Sequence, residues 1–146
     1  MTPWKTSPRP SPASPGTARP RVEQTLAVVA ARYTPRVARL VAAVTTPQRP
    51  DGVDRIEHYV THLATALDGE PWARVIKVSD FTDNGVGIIH ATVALVARSA
   101  RKYDAALPTL RELVDWPDTP LNPDVKAHVQ RQFDLAQQRF AAILAA

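Results

Sequence analysis

From Arg21 onward the apolar residues recur with a helical period. Val22, Leu26, Val29 and Ala30 make one stripe and predict a first helix reaching about Tyr33. Pro35, whose missing N–H costs nothing in a first turn, opens a second helix through Val37, Leu40, Val41 and Val44. The segment from Thr45 to Pro50 is a loop, and Asp51 or Asp54 is placed to cap a third helix. That helix has Ile56, Tyr59, Val60, Leu63 and Leu67 on its apolar side and Gly69 at its end. Glu70 and Pro71 start a long fourth helix that bends or breaks near Gly85 and Gly87. A fifth is predicted from about Tyr103 to Val114, with a restart at Pro108, before the proline-rich loop from Trp116 to Pro123. Residues 124–145 form the last helix, with Val125, Val129, Phe133, Ala136, Phe140 and Leu144 on one side. No strand pattern or internal repeat interrupts this series, so the body, residues 21–146, is expected to be one all-α domain.

Residues 1–20 break the pattern. They hold six prolines, several serines and almost no aliphatic side chain. Such a segment buries too little surface to offset its ordering entropy, so a disordered leader is expected. Its PRPSP run also fits a ligand for a proline-recognition domain, although a passive leader is the simpler reading.

The fourth helix carries the most informative chemistry. Arg74, Lys77, Asp80, Asp83, Asn84 and Gly87 recur at three- or four-residue steps and share a broad polar face. Around them stand Trp72, Val75, Ile76, Val78, Phe81, Val86, Ile88 and Ile89, enough to bury much of the helix. A carboxylate there needs a cation, a metal or several donors, which makes Asp80 the residue to explain. Asp80 and Asn84 are one turn apart, so they suit either a metal-binding carboxylate beside a phosphate- or ribose-orienting amide, or a packing pair with Asp80 bridged to an arginine of a neighbouring helix. Spacing alone favours the packing pair.

Composition removes several classes. The chain has no cysteine, which excludes disulfides and thiolate metal sites. No apolar run reaches transmembrane length and the N-terminus lacks the core of a secretion signal, so a cytoplasmic protein with no membrane partner is expected. The pI of about 9.9 suggests nucleic acid. However, Lys5, Arg9 and Arg19 in the leader have no acidic counterpart, which leaves the body nearly neutral. A nucleic-acid partner is therefore not expected.

The other candidates have bland readings. His58 and His62 are an i, i+4 pair, but no glutamate-containing zinc motif surrounds them, and solvated histidines are the better account. His90 and His128 are isolated. Gly85 and Gly87 lack the preceding strand and following lysine of a phosphate-binding loop, and they fit close packing or a bend instead.

The run from Val75 through Asp80 to Asn84 resembles the "VKLADRLHN" helix of HD-domain metal-dependent phosphohydrolases of the RelA/SpoT alarmone-hydrolase type. The segment from Thr25 to Tyr33, that from Arg36 to Thr45, and the Arg55–His62 helix are similar to the elements that precede it there, so the likeness covers residues 25–90. It implies an HD-domain-like helical bundle hydrolysing (p)ppGpp or another nucleotide with a divalent metal, most simply manganese. By motif position Asp80 is the last metal ligand, Asn84 and Lys77 face the substrate, and Glu23 is a candidate for catalytic proton transfer. The positions of the family's His-Asp dyad fall on Arg19 and Pro20, Gln24 departs from the family's acidic run, and no histidine precedes His58.

The resemblance therefore implies either an N-terminally incomplete HD protein or a degenerate one with weak or no activity. The alternative is a non-catalytic helical interaction module. Absent helices would leave apolar faces of the first four helices uncovered, from which a homo-oligomer, a protein partner or poor solubility is expected.

Overall fold

The computed structural model describes residues 18–90 and 92–146, so most of the leader lies outside the described residues. The chain divides into two compact units, Met1–Ala38 and Arg39–Ala146. Among the described residues six α-helices follow in order: α1 Ala18–Arg32, α2 Pro35–Val44, α3 Arg55–Ala66, α4 Pro71–Val86, α5 Val93–Asp115 and α6 Pro123–Ala145, with a short 3-10 turn at Gly87–His90. No strand occurs among the described residues, and the protein is all-α. None of these helices is long and apolar enough to cross a membrane.

In the first unit, α1 begins at Ala18, three residues ahead of the predicted start. Leu26, Val29 and Ala30 are half-buried, while Val22 and Val28 are exposed. Helix α2 starts at Pro35 as expected, and the Thr34 hydroxyl accepts from the Val37 amide at its first turn.

The second unit holds the main core. Asp54, rather than Asp51, caps α3 and accepts from the amides of Ile56 and Glu57 at 2.9 and 3.0 Å. Helix α3 stops at Ala66 with Leu67 as its cap in ordinary right-handed geometry, so Gly69 does not end it. Asn122 caps α6 through the Val125 amide, with Pro123 next in line. The fifth helix differs most from expectation, because it begins ten residues early and runs unbroken through Pro108. An interior proline costs a helix about 3 kcal/mol. The flanking Ala106, Leu107, Leu110, Leu113 and Val114 are all buried, and that burial offsets the cost.

Phe81 of α4 stands at the centre of this core. Its ring meets those of Tyr103, Phe133 and Phe140 edge-on, at centroid distances of 5.3, 5.5 and 6.3 Å. Gly85 lies one turn further along. A Cβ there would stand 3.2 Å from the Phe140 ring and 3.4 Å from the Ala136 methyl, so its glycine permits α4 and α6 to approach closely. Gly87 has open space instead and marks where α4 gives way to the 3-10 turn. The two glycines thus divide the roles of packing and bending.

The buried stripe of α4 is Ala73, Arg74, Val78, Phe81 and Gly85, and Ile88 of the following turn continues it. This corrects the sequence reading twice. Arg74 leaves the polar face and becomes the largest fully buried side chain, whereas Trp72 and Ile76 are 49% and 44% exposed. The Arg74 guanidinium donates to the carbonyls of Leu67 and Asp68 at the end of α3. It also donates to the Asp118 carboxylate at 2.7 Å and the Thr119 hydroxyl at 3.1 Å, and stacks on the Trp116 ring. Thr119 in turn donates to the Leu113 carbonyl at 2.6 Å. Each of its three nitrogens donates at least one hydrogen bond, which is what makes a buried arginine tolerable.

Replacing Arg74 by Met keeps most of the volume but strands two carbonyls, each worth about 1–3 kcal/mol when left without a donor. Arg74→Met should therefore lose about 3 kcal/mol in urea unfolding followed by helical circular dichroism. A loss below about 1 kcal/mol would show that this network does not hold the unit together.

Candidate functional site

A cleft of about 520 Å³ opens in the second unit between the loop after α2 and helices α3, α4 and α5. Each element contributes charge. The loop supplies Arg49, α3 supplies Arg55, His58 and Tyr59, α4 supplies Lys77 and Asp80, and α5 supplies Arg98, Lys102 and Tyr103. Arg55 and His58, Lys77 and Asp80, and Arg98 and Lys102 lie three or four apart, so each helix turns one edge to the cleft. Five cationic side chains thus face a single carboxylate.

The loop is anchored on both sides. Arg49 Nη1 donates to the Val53 carbonyl at 3.0 Å, and His58 Nε2 lies 3.0 Å from the Pro47 carbonyl. A carbonyl only accepts, so His58 carries its proton on Nε2 when this bond forms. On α4, Lys77 Nζ is 3.8 Å from an Asp80 oxygen, and the Asn84 amide donates to the other oxygen at 3.0 Å. Lys77 and Lys102 lie over the Tyr59 ring at 5.6 and 5.0 Å, and Lys102 is also 4.8 Å from the Tyr103 ring centre.

This packing alters the ionisable groups. Burial, then the neighbouring Tyr103 and Asp80, pushes the Tyr59 phenol above its usual range. Burial and Asp80 act likewise on Tyr103. Burial and the cations of Lys77 and Arg98 push the Lys102 amine below its ordinary value, with Asp80 opposing. Both phenols therefore stay neutral at physiological pH and line the cleft as aromatic walls.

Asp80 and Lys77 are brought together here, as the sequence suggests. Asp80 is not on a buried surface, since its side chain is 58% exposed and its ion-pair partner is Lys77 of its own helix. Asn84 reaches the cleft only through its bond to Asp80. Glu23 is an exposed residue of α1 in the first unit, while the cleft lining comes from the second.

His62 does not line the cleft, and its Nε2 is buried without a hydrogen-bond partner. His128 is exposed on α6. Arg49, Arg55, Arg98, Lys102 and Tyr103 escape the sequence reading. For α5 a signal existed, because Arg98 and Lys102 are one turn apart, but it is visible only if the helix begins near Val93.

The donor set does not fit a catalytic divalent ion. Such an ion needs about three protein ligands and an open position, and among the described residues no three His, Asp or Glu side chains gather to hold one. Asp80 is already engaged by a lysine and an amide. The arrangement suits an anion instead, since arginines and lysines converging on a partly enclosed space with neutral aromatic walls strengthen each charge–charge contact. Comparison with protein-family models, curated proteins and solved structures gives no match.

His62 gives a pH test of this region. Burial first, then the charges of His58 and Lys77, pushes its imidazole below the ordinary 6.5. Below pH 6.5 the unfolded chain takes up a proton that the folded chain resists, so folding stability should fall with acid through that window. In urea unfolding at stepped pH, His62→Gln should flatten the slope, and an unchanged slope would overturn this account of His62.

Proposed function

We propose that this chain is an HD-domain-like helical protein, related to the nucleotide phosphohydrolases, whose cleft binds the phosphates of a nucleotide with little or no hydrolysis. The observation that carries the reading is the cleft itself, with five cations from four separate elements around one carboxylate. A phosphorylated ligand matches this pattern through its several negative oxygens, which arginine forks bind in pairs. The order of the helices and the Asp80–Asn84 turn support the kinship. Lys77 has the substrate-facing role that the resemblance implies, and Asn84 acts by holding Asp80.

Hydrolysis by metal-activated water would need a ligand set that these residues do not assemble, so no hydrolytic step is assigned. Asp80 instead limits the local positive charge and keeps Lys77 in place. The roles separate in one experiment. Pyrophosphate, guanosine diphosphate and manganese are titrated into the full chain by calorimetry, beside Arg98→Ala and Asp80→Asn. Pyrophosphate should bind with an affinity that falls as salt rises, Arg98→Ala should weaken it, and Asp80→Asn should strengthen it by about fivefold, roughly 1 kcal/mol for one half-exposed charge. Tight manganese binding lost in Asp80→Asn would replace this reading with a metal-dependent one.

A second reading, a protein-interaction module, is favoured by the exposed apolar residues Val41, Trp72 and Ile76. Trp72 and Ile76 are one turn apart on α4 and form a solvent-facing ridge. In sedimentation velocity, concentration-dependent dimerisation abolished by Trp72→Lys would support this reading, and a monomer at high concentration would end it.

A further inference from the structure

The chain has four lysines, Lys5, Lys77, Lys102 and Lys126. Lys5 lies outside the described residues. Lys126 Nζ is spent on the Trp116 carbonyl at 2.8 Å, and Lys77 is held by Asp80. Lys102 differs from both. Among the described residues no carboxylate contacts its Nζ, which rests on the rings of Tyr59 and Tyr103. Its charged neighbours from α4 and α5 are the cations Lys77 and Arg98, which together with burial weaken its hold on a proton, and the Asp80 carboxylate, which opposes them. The unprotonated fraction of an amine is a nucleophile, whereas a guanidinium binds anions without reacting.

We propose that Lys102 is an acylation site for small acyl phosphates, whose phosphate is seated by Arg49, Arg55 and Arg98 while the amine attacks the acyl carbon. This rests on the phosphate-binding reading of the cleft. In the step, the lone pair of Lys102 Nζ forms a bond to the acyl carbon, and the bond from that carbon to the phosphate oxygen breaks. Inorganic phosphate leaves with the electron pair, the proton on nitrogen passes to the departing phosphate or to water, and an amide remains. No oxidant or further reactant is required. The binding site supplies proximity, which turns a slow bimolecular transfer into a local one. Because the amide takes up no proton, the product cleft loses one group able to carry positive charge and holds phosphate less tightly, so the modification lowers the affinity of the site that guides it.

The test treats the full chain with acetyl phosphate and reads the occupancy of each lysine by peptide mass spectrometry. Parallel samples use the phosphate-free donor N-hydroxysuccinimidyl acetate, or acetyl phosphate with excess pyrophosphate, and pyrophosphate binding is measured separately by calorimetry. Lys102 should take most of the acetyl delivered by acetyl phosphate. It should lose that lead with the phosphate-free donor and under pyrophosphate, and Lys102→Gln should bind pyrophosphate more weakly. Equal or greater labelling of Lys77 or Lys126 with pyrophosphate binding intact overturns the acylation proposal alone. A lead for Lys102 with both donors overturns phosphate guidance. Absence of pyrophosphate binding overturns the reading of the cleft on which the proposal stands.

Discussion

Arg74 sets the constraint on which the second unit depends. A buried guanidinium must satisfy its donors within the protein, and this one does so by joining the neighbouring end of α3 to a loop more than forty residues further along the chain. The end of α3 offers two carbonyls, α4 carries the side chain, and the loop between α5 and α6 supplies a ring, a carboxylate and a hydroxyl. That demand selects one rotation of α4. With Arg74 in the interior, Val78, Phe81 and Gly85 follow it along the same stripe, and Lys77 and Asp80 come to its edge, where the cleft opens.

The cleft shows how a chain with a nearly neutral body acquires a concentrated positive site. None of its cations is unusual by itself, and the acidic residues of the body are numerous. The fold gathers Arg49, Arg55, Lys77, Arg98 and Lys102 around one space and leaves only Asp80 among them. Like charges held close in a partly desolvated space repel, and an anionic ligand relieves that repulsion. The same crowding distinguishes Lys102 from Lys77: the carboxylate contact lies with one lysine and the aromatic contacts fall most closely on the other.

The helix order was legible because it rests on local signals. Pro35, Asp54, Pro71 and the apolar period of α6 act within a turn or two of themselves, and the structure places helix ends close to each. Signals of the same kind misled where long-range packing overrode them. Pro108 reads as a break, yet the buried leucines around it carry α5 through. Arg74 reads as polar surface, because nothing near it in sequence reveals that Asp118 and Thr119 wait more than forty residues later.

By itself, then, the sequence determined the all-α class, most helix boundaries and the closeness of Lys77, Asp80 and Asn84, since all of these follow from spacing along one helix. Tertiary structure alone decided which charges meet. Arg49 and Arg55 come from one end of the unit's sequence and Arg98 and Lys102 from its middle. Only the packing of α3, α4 and α5 around the Phe81 core puts them on one wall. Charge has no periodicity that announces a partner on another helix, and for that reason the composition of the site emerged only once the helices were packed.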